Sequence, residues 1–435
     1  MGDLGASHIL VKALAENDNS KNQIYLGGNF QAVNVVPHGP VLAETKQAKA
    51  PVSLHWLDPE GGTELASGAQ LIFYPQYPEI RLSGFLKGCR AAPSKLLAER
   101  SSGRRLFLGI HPRGKVFAWA CGPDDPLARE IADLEWKYSD NFTSVFFRLS
   151  IHGAEGESDQ EALLRALAGI ARKGWIPGER LRKDGQRVAT ASANAGGYTL
   201  EAAFGISANS DAAPDFRGWE LKGVTSRDLE RPPLAKAVTV ITPEPKIGIY
   251  ATEGVETFIR RYGYADRNGV PDRLNFGGQY RLGKRVDLTG LHMELPGYDT
   301  KSATGRGKIT DFGNGSIALV DDEGTLAAGW RFTDFFDHWQ RKHANAAYVP
   351  MLSAMGDDGV RRFKYSSDPW LGIGTEFLKF LDALAYGEAY YDPGVKMEGV
   401  SSAKPAIKRR SQFRVKFKDL GVLYSSFERA AVDAR

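Results

Sequence analysis

The sequence predicts an α/β (α+β) fold, a mixed sheet flanked by helices, with a β-rich domain in front of it. Three observations carry this expectation. The chain has 435 residues, more than one hydrophobic core usually serves, so two domains are expected. From about residue 23 to 150, short apolar runs such as "NQIYLGGNF", "VSLHWLD", "AQLIFY", "RRLFLGIHP" and "KVFAWACG" are separated by Gly and Pro, the pattern of strands and turns. Beyond that stretch, helix-like and strand-like periodicities alternate.

Taken in order, residues 1 to about 20 read as a polar start, and a short helix is expected at 124–137. "HGAEGES" at 152–158 reads as a linker, which divides the chain into a β-rich domain at 1–152 and a second domain at 158–435. Ser158 caps the helix that follows, with Glu161 at the capping-box position. Leu163, Leu164, Leu167, Ile170 and Ala171 form its apolar stripe, and Gly174 stops it. A short helix is expected at 199–205, a strand at about 217–224, strands at 237–243 and 316–322, and helices at 254–262, 332–342 and 374–385. "FKYSSDPWLG" (363–372) and "YYDPGVK" (390–396) read as loops, and "RSQFRVKFKD" (410–419) alternates as a strand would.

Composition narrows the function classes. Hydrophobic residues make up 42% and charged residues 25%, an ordinary soluble balance. No run approaches the roughly 18 apolar residues of a membrane span, and no basic-then-apolar leader opens the chain, so a cytoplasmic protein with no membrane partner is expected. Two cysteines, Cys89 and Cys121, make neither a disulfide framework nor a four-cysteine zinc site and are expected to be buried. The net charge of +4 says little, but eight Lys or Arg residues against one Glu lie between Lys396 and Lys418.

The chemistry is concentrated in "PDFRGWELK", Pro214 to Lys222. On a strand, Glu220 and Lys222 point to one face and Leu221 to the other. A turn through Arg217 and Gly218 would bring the Asp215 carboxylate alongside Glu220. Two converging carboxylates repel unless a cation lies between them, and Mg²⁺ takes one or two carboxylates while keeping waters and accepting phosphate oxygens. A neighbouring lysine can orient a water or counter charge on a phosphate. The tripeptide by itself is common on ordinary solvated strands. Glu201, fourteen residues before Asp215, adds a third carboxylate on the expected short helix, where Leu200, Ala203 and Phe204 are available for packing.

The stretch "GGYTLEAAFGISANSDAAPDFRGWELK" resembles the catalytic core of the MvaI/BcnI restriction endonucleases, relatives of the nickase MutH within the PD-(D/E)xK nucleases. "KHANAAYVP" (342–350), "GTEFLKFLDAL" (374–384), "YYDPGVKME" (390–398) and "KRRSQFRV" (408–415) are similar to the same family, so the resemblance covers roughly 158–430. It implies a PD-(D/E)xK restriction-endonuclease-like sheet and a type II-like deoxyribonuclease that cuts duplex DNA in host defence with Mg²⁺, for which Mn²⁺ substitutes. It makes Asp215 and Glu220 the metal-binding carboxylates, adds the main-chain carbonyl of Leu221 as a ligand, and makes Lys222 the catalytic lysine and Glu201 a supporting glutamate. Ordinary restriction would pair the enzyme with a cognate DNA methyltransferase encoded nearby. A MutH-like nickase, a modification-sensing nuclease and a non-catalytic DNA-binding protein are the alternatives.

For DNA contacts, strand alternation puts Arg410, Gln412 and Arg414 on one face and Arg409, Ser411 and Phe413 on the other. Arg reads guanine and Gln reads adenine bidentately. Lys404, Lys408, Lys416 and Lys418 would grip phosphates, and Asp392 and Lys396 are further candidates. The alternative is a solvated basic strand. His338 and His343 lack the partners of a zinc site, and "TGRGKIT" (304–310) departs from a P-loop at its first Gly and after Lys308, so no ATP use is expected. The N-terminal domain reads as an accessory DNA-binding module, similar in outline to the B3-like barrels joined to some MvaI-like domains, as a protein-interaction or specificity module, or as a packing extension. On the first reading Arg81, Lys87, Arg90, Arg104 and Arg105 would meet phosphates.

Overall fold

The computed structural model describes residues 1–430 except 17, 19–22, 28–34, 45–46, 75–78, 140–141, 144, 152–158, 193, 208–214, 301–306 and 344, and except the side chains of 43, 142–143, 337–338 and 340–343. The expected linker at 152–158, the cap Ser158, and the side chains of His338 and His343 lie outside the described residues. The chain divides into two compact units, Met1–Arg165 and Ala166–Arg435, and the division falls inside the helix Asp159–Arg172. No helix among the described residues is long and apolar enough to cross a membrane.

The first unit is built from two sheets. One runs in the order Phe142–Thr143, Phe146–Ser150, His8–Ala13, Arg105–Ile110, Lys115–Cys121, Ser53–Leu57, Thr63–Leu65. The other runs Gln23–Gly27, Glu79–Ser83, Gln70–Tyr74, Ala48–Pro51, Leu42–Ala43. Arg105–Ile110 pairs with Lys115–Cys121, and Gln70–Tyr74 with Glu79–Ser83, both antiparallel. The expected helix is Pro126–Lys137, capped by Asp125, whose carboxylate accepts from the Leu127 amide at 2.9 Å. Cys121 is buried in the core beside Val11, Phe107 and Ile131, whereas Cys89 is only half-buried.

In the second unit the central strand is Asn345–Met355, with five buried apolar residues from Ala346 to Met351 once Pro350 is set aside. The sheet order is Ile176–Pro177, Arg361–Tyr365, Asn345–Met355, Trp370–Ile373, Ser426–Arg429. Glu220–Thr225 joins it by parallel pairing to the central strand, in the register Glu220↔Ala346, Leu221↔Ala347, Lys222↔Tyr348. A strand buried along one flank and parallel to its partner needs a covering layer. Part of that cover is the helix Ala195–Ala203, which approaches closely at its glycines. A Cβ on Gly196 would lie 2.6 Å from the Met351 side chain, and one on Gly223 would lie 3.7 Å from the Gly197 Cα.

Several expectations change here. "FKYSSDPWLG" is not a loop: it holds the end of Arg361–Tyr365 and the start of Trp370–Ile373. Tyr365 and Leu371 are buried, so sheet packing outweighs the turn signal of Ser-Ser-Asp-Pro, which survives only as the connection. "YYDPGVK" likewise spans the strands Ala389–Tyr391 and Gly394–Glu398, with Asp392 and Pro393 between them. The "RSQFRVKFKD" segment is a strand only at Phe413–Lys416. Upstream of it lies Ala406–Lys408, and residues 409–412 belong to neither strand.

Candidate active site and nucleic-acid interface

Asp215 and Glu220 flank a two-residue reversal. Phe216 and Trp219 exchange both backbone hydrogen bonds, Phe216 N to Trp219 O at 3.0 Å and Trp219 N to Phe216 O at 2.8 Å. Arg217 and Gly218 between them have φ of 43° and 84°, the pair of positive values that defines a type I′ hairpin turn. The turn folds the Asp215 arm back on the strand, where Oδ2 of Asp215 accepts from the Leu221 amide at 2.9 Å.

On the strand, Leu221 is buried and Glu220 and Lys222 share the other face. The Lys222 ammonium lies 2.8 Å from Glu220 Oε1, with side-chain exposures of 22% and 5%. Oε2 of the same carboxylate is buried and has no hydrogen-bond partner. An ionised oxygen in that position is costly unless a cation or donor meets it. Among the described residues no three His, Cys, Asp or Glu side chains form a metal-ligand cluster.

Glu201 stands near the end of the Ala195–Ala203 helix, half-buried. Two contacts tie the helix to its neighbours: Thr199 Oγ1 accepts from the Glu179 amide at 3.0 Å, and the Tyr365 hydroxyl donates to Gly196 O at 2.7 Å. Thr199 Oγ1 also donates within the helix to Ala195 O at 2.7 Å. Burial, with the charges of Glu179 and Glu201 nearby, pushes the Tyr365 hydroxyl well above the usual tyrosine range. Phe204, just past the helix, packs edge-on against Phe216 with ring centroids 5.0 Å apart, which ties the element of Glu201 to the turn beside Asp215. Neither Tyr365 nor this ring contact was legible in the sequence, because each joins residues far apart or on separate elements.

The basic segment forms a bent ribbon. Gly394–Glu398 pairs antiparallel with Ala406–Lys408, and beyond it Gly394 N donates to Arg410 O and Asp392 N to Gln412 O, both at 2.9 Å. The same register continues as Tyr391↔Phe413 and Ala389↔Val415. Lys396 stands directly opposite Lys408, and both are exposed, as are Arg409 and Arg410. Like charges opposite one another destabilise a sheet unless an anion screens them. Gln412 and Arg414 do not share an exposed face with Arg410. Gln412 is buried and its Oε1 accepts from Thr239 Oγ1 at 3.0 Å. Arg414 donates to Asp392 Oδ2 at 2.7 Å and to Ala237 O at 2.9 Å. The ribbon bends there into the sheet Ala237–Ile241, Phe413–Lys416, Ala389–Tyr391, and core packing claims those side chains.

The match to known families decides the assignment: residues 164–424 match the MvaI/BcnI restriction endonuclease family. The chain belongs to this family. Among solved structures it is similar to a restriction endonuclease MvaI–cognate DNA substrate complex, at 14% identity and a TM-score of 0.45, covering 63% of this chain and 99% of that one. It is also similar to restriction endonuclease MvaI in the absence of DNA, at 14% identity and a TM-score of 0.33, covering 64% of this chain and 99% of that one. No curated protein matches. As a member of the MvaI/BcnI family the chain is a nuclease acting on DNA, and enzymes of this kind generally use a divalent metal.

The family match stops short of the first unit, and there the phosphate candidates divide. Arg104 is fully buried and donates to the carbonyls of Ser101, Leu96, Leu97 and Ala15. Arg105 is ion-paired to Glu135 at 3.0 Å, and Arg81 to Glu79. Internal acceptors engage all three guanidiniums. Lys87 and Arg90 are exposed.

Proposed function

We propose that this MvaI/BcnI family member hydrolyses phosphodiester bonds in duplex DNA with Mg²⁺, cutting at a sequence-specific site as a restriction enzyme in host defence. The observation that carries the reading is the buried, unpartnered Oε2 of Glu220 beside an oxygen that already holds Lys222. Asp215, Glu220 and the Leu221 carbonyl would hold the ion, which supplies Lewis acidity toward a phosphate oxygen and a more acidic bound water. The chain's own residues have separable tasks. Glu220 keeps the Lys222 ammonium on the reacting face. Lys222 orients the attacking water or answers the charge that grows on the phosphate. Asp215, hydrogen-bonded to the Leu221 amide, fixes the turn against the strand. Glu201 supports the cluster from its helix.

Lys396, Lys408, Arg409 and Arg410 would meet the DNA backbone and groove, since all four are exposed on the ribbon. Membership of a restriction endonuclease family supports DNA as the partner. Residues 158–435 would carry catalysis, and residues 1–152 an accessory module. The test is cleavage of duplex DNA by Asp215→Asn and Lys222→Ala with Mg²⁺. Loss of cutting with DNA binding retained is expected, and unchanged cutting by either variant overturns the assignment. On a supercoiled plasmid, nicked circles without linear product would point to a nickase instead.

A further inference from the structure

We propose that a second backbone-phosphate subsite for duplex DNA lies in a cavity beside the ribbon, with Arg331 as its unassigned contact. The proposal rests on the reading of duplex DNA as the partner. The cavity measures about 540 Å³ and is lined by Glu244, Lys246, Tyr250, Arg331, Asp334 and Arg409 among others. Its charged groups are unevenly engaged. Lys246 is 3.3 Å from Asp334 Oδ1, and the Tyr250 hydroxyl donates to Glu244. Arg331 and Arg409 are exposed, and neither makes a side-chain hydrogen bond or ion pair among the described residues. Three cations thus face two carboxylates, and the surplus charge is carried by two guanidiniums.

The chain beside each arginine shares one anchor. The Pro243 carbonyl accepts from Trp330 Nε1 at 3.0 Å and also from the Ser411 hydroxyl, so the residue before Arg331 and the residue two after Arg409 are fixed to the same oxygen. The Lys246 amide donates to Gly329 O at 2.8 Å and closes the strand Leu326–Arg331 against the cavity wall. A guanidinium matches phosphate geometry bidentately, and two lining one hollow suit an anion of that size. Arg409 lies between Lys408 and Arg410 in the exposed basic run, so a DNA backbone following the ribbon reaches the cavity without a break in positive charge.

The experiment is equilibrium binding of a fluorescein-labelled duplex across a KCl series, with Ca²⁺ replacing Mg²⁺ so that the DNA stays intact. Each lost phosphate contact should make the slope of log affinity against log salt shallower by about 0.9. Arg331→Ala is expected to show that change and to bind roughly tenfold more weakly at about 0.1 M salt. Arg331→Lys is expected to keep the wild-type slope, and the double variant with Arg409→Ala to lose about twice as much slope. A wild-type slope in Arg331→Ala, with the parent binding normally, overturns the subsite alone. Failure of the parent to bind any duplex overturns the DNA reading and the subsite with it.

Discussion

Lys222 and Glu220 are neighbours on one strand face, their charges 2.8 Å apart, while the second oxygen of Glu220 is buried with no partner. The pair therefore compensates only part of the carboxylate's buried charge. Removing the lysine should leave the Glu220 carboxylate without its one cationic neighbour in the pair, a change that costs about 1–3 kcal/mol in a partly exposed pair. Lys222→Met is expected to lower the thermal midpoint in a chelator and to recover much of the loss when Mg²⁺ is added. If Mg²⁺ leaves the deficit unchanged, the ion does not lie against Glu220.

Gly218 has φ of 84° at the centre of the turn between the two carboxylates. Gly218→Ala introduces a Cβ that disfavours this conformation by roughly 1–2 kcal/mol. The expected result is a modest fall in stability with a larger fall in cleavage rate, because Asp215 shifts relative to Glu220. Arg217→Gly, at φ of 43°, should be neutral or stabilising. Calorimetry and single-turnover cleavage on the same samples check both.

Gln412 and Lys408 lie on one ribbon but should fail in opposite ways. Gln412→Ala strips a buried acceptor from Thr239 and should cost about 1 kcal/mol, with DNA affinity unchanged. Lys408→Ala relieves its opposition to Lys396 and should raise the thermal midpoint slightly while weakening DNA binding. Loss of DNA affinity in Gln412→Ala without loss of stability would return that residue to the recognition surface.

His8 predicts an acid limit for the first unit. Burial, helped by the positive charge of Arg148, lowers its pKa to about 4 from 6.5. The folded state therefore favours the neutral ring. Its contribution is fully present above about pH 6.5 and is lost as pH falls from there towards 4, on the order of 2–3 kcal/mol in all. His8→Gln should flatten the thermal midpoint over that interval. An equally steep loss in the variant would assign the acid sensitivity to other groups.

The sequence alone determined the local features whose causes are local. The alternation of Glu220 and Lys222 about Leu221, the turn through Arg217 and Gly218, and the helices at 126–137, 254–262 and 332–343 follow from periodicity and φ preference within a few residues. The helix bearing Glu201 was read too short, since its first turn is set by Gly196 packing on Met351 rather than by propensity. Only the tertiary structure decided which charges are available. Gln412, Arg414, Arg104 and Arg105 look the same in sequence as Lys408 and Arg410, yet internal hydrogen-bond partners claim the first four and solvent surrounds the other two. The physical reason is that a buried polar group must be paired from wherever in the chain a partner comes. Thr239 for Gln412 and Ala15 for Arg104 are partners at separations that no local pattern encodes.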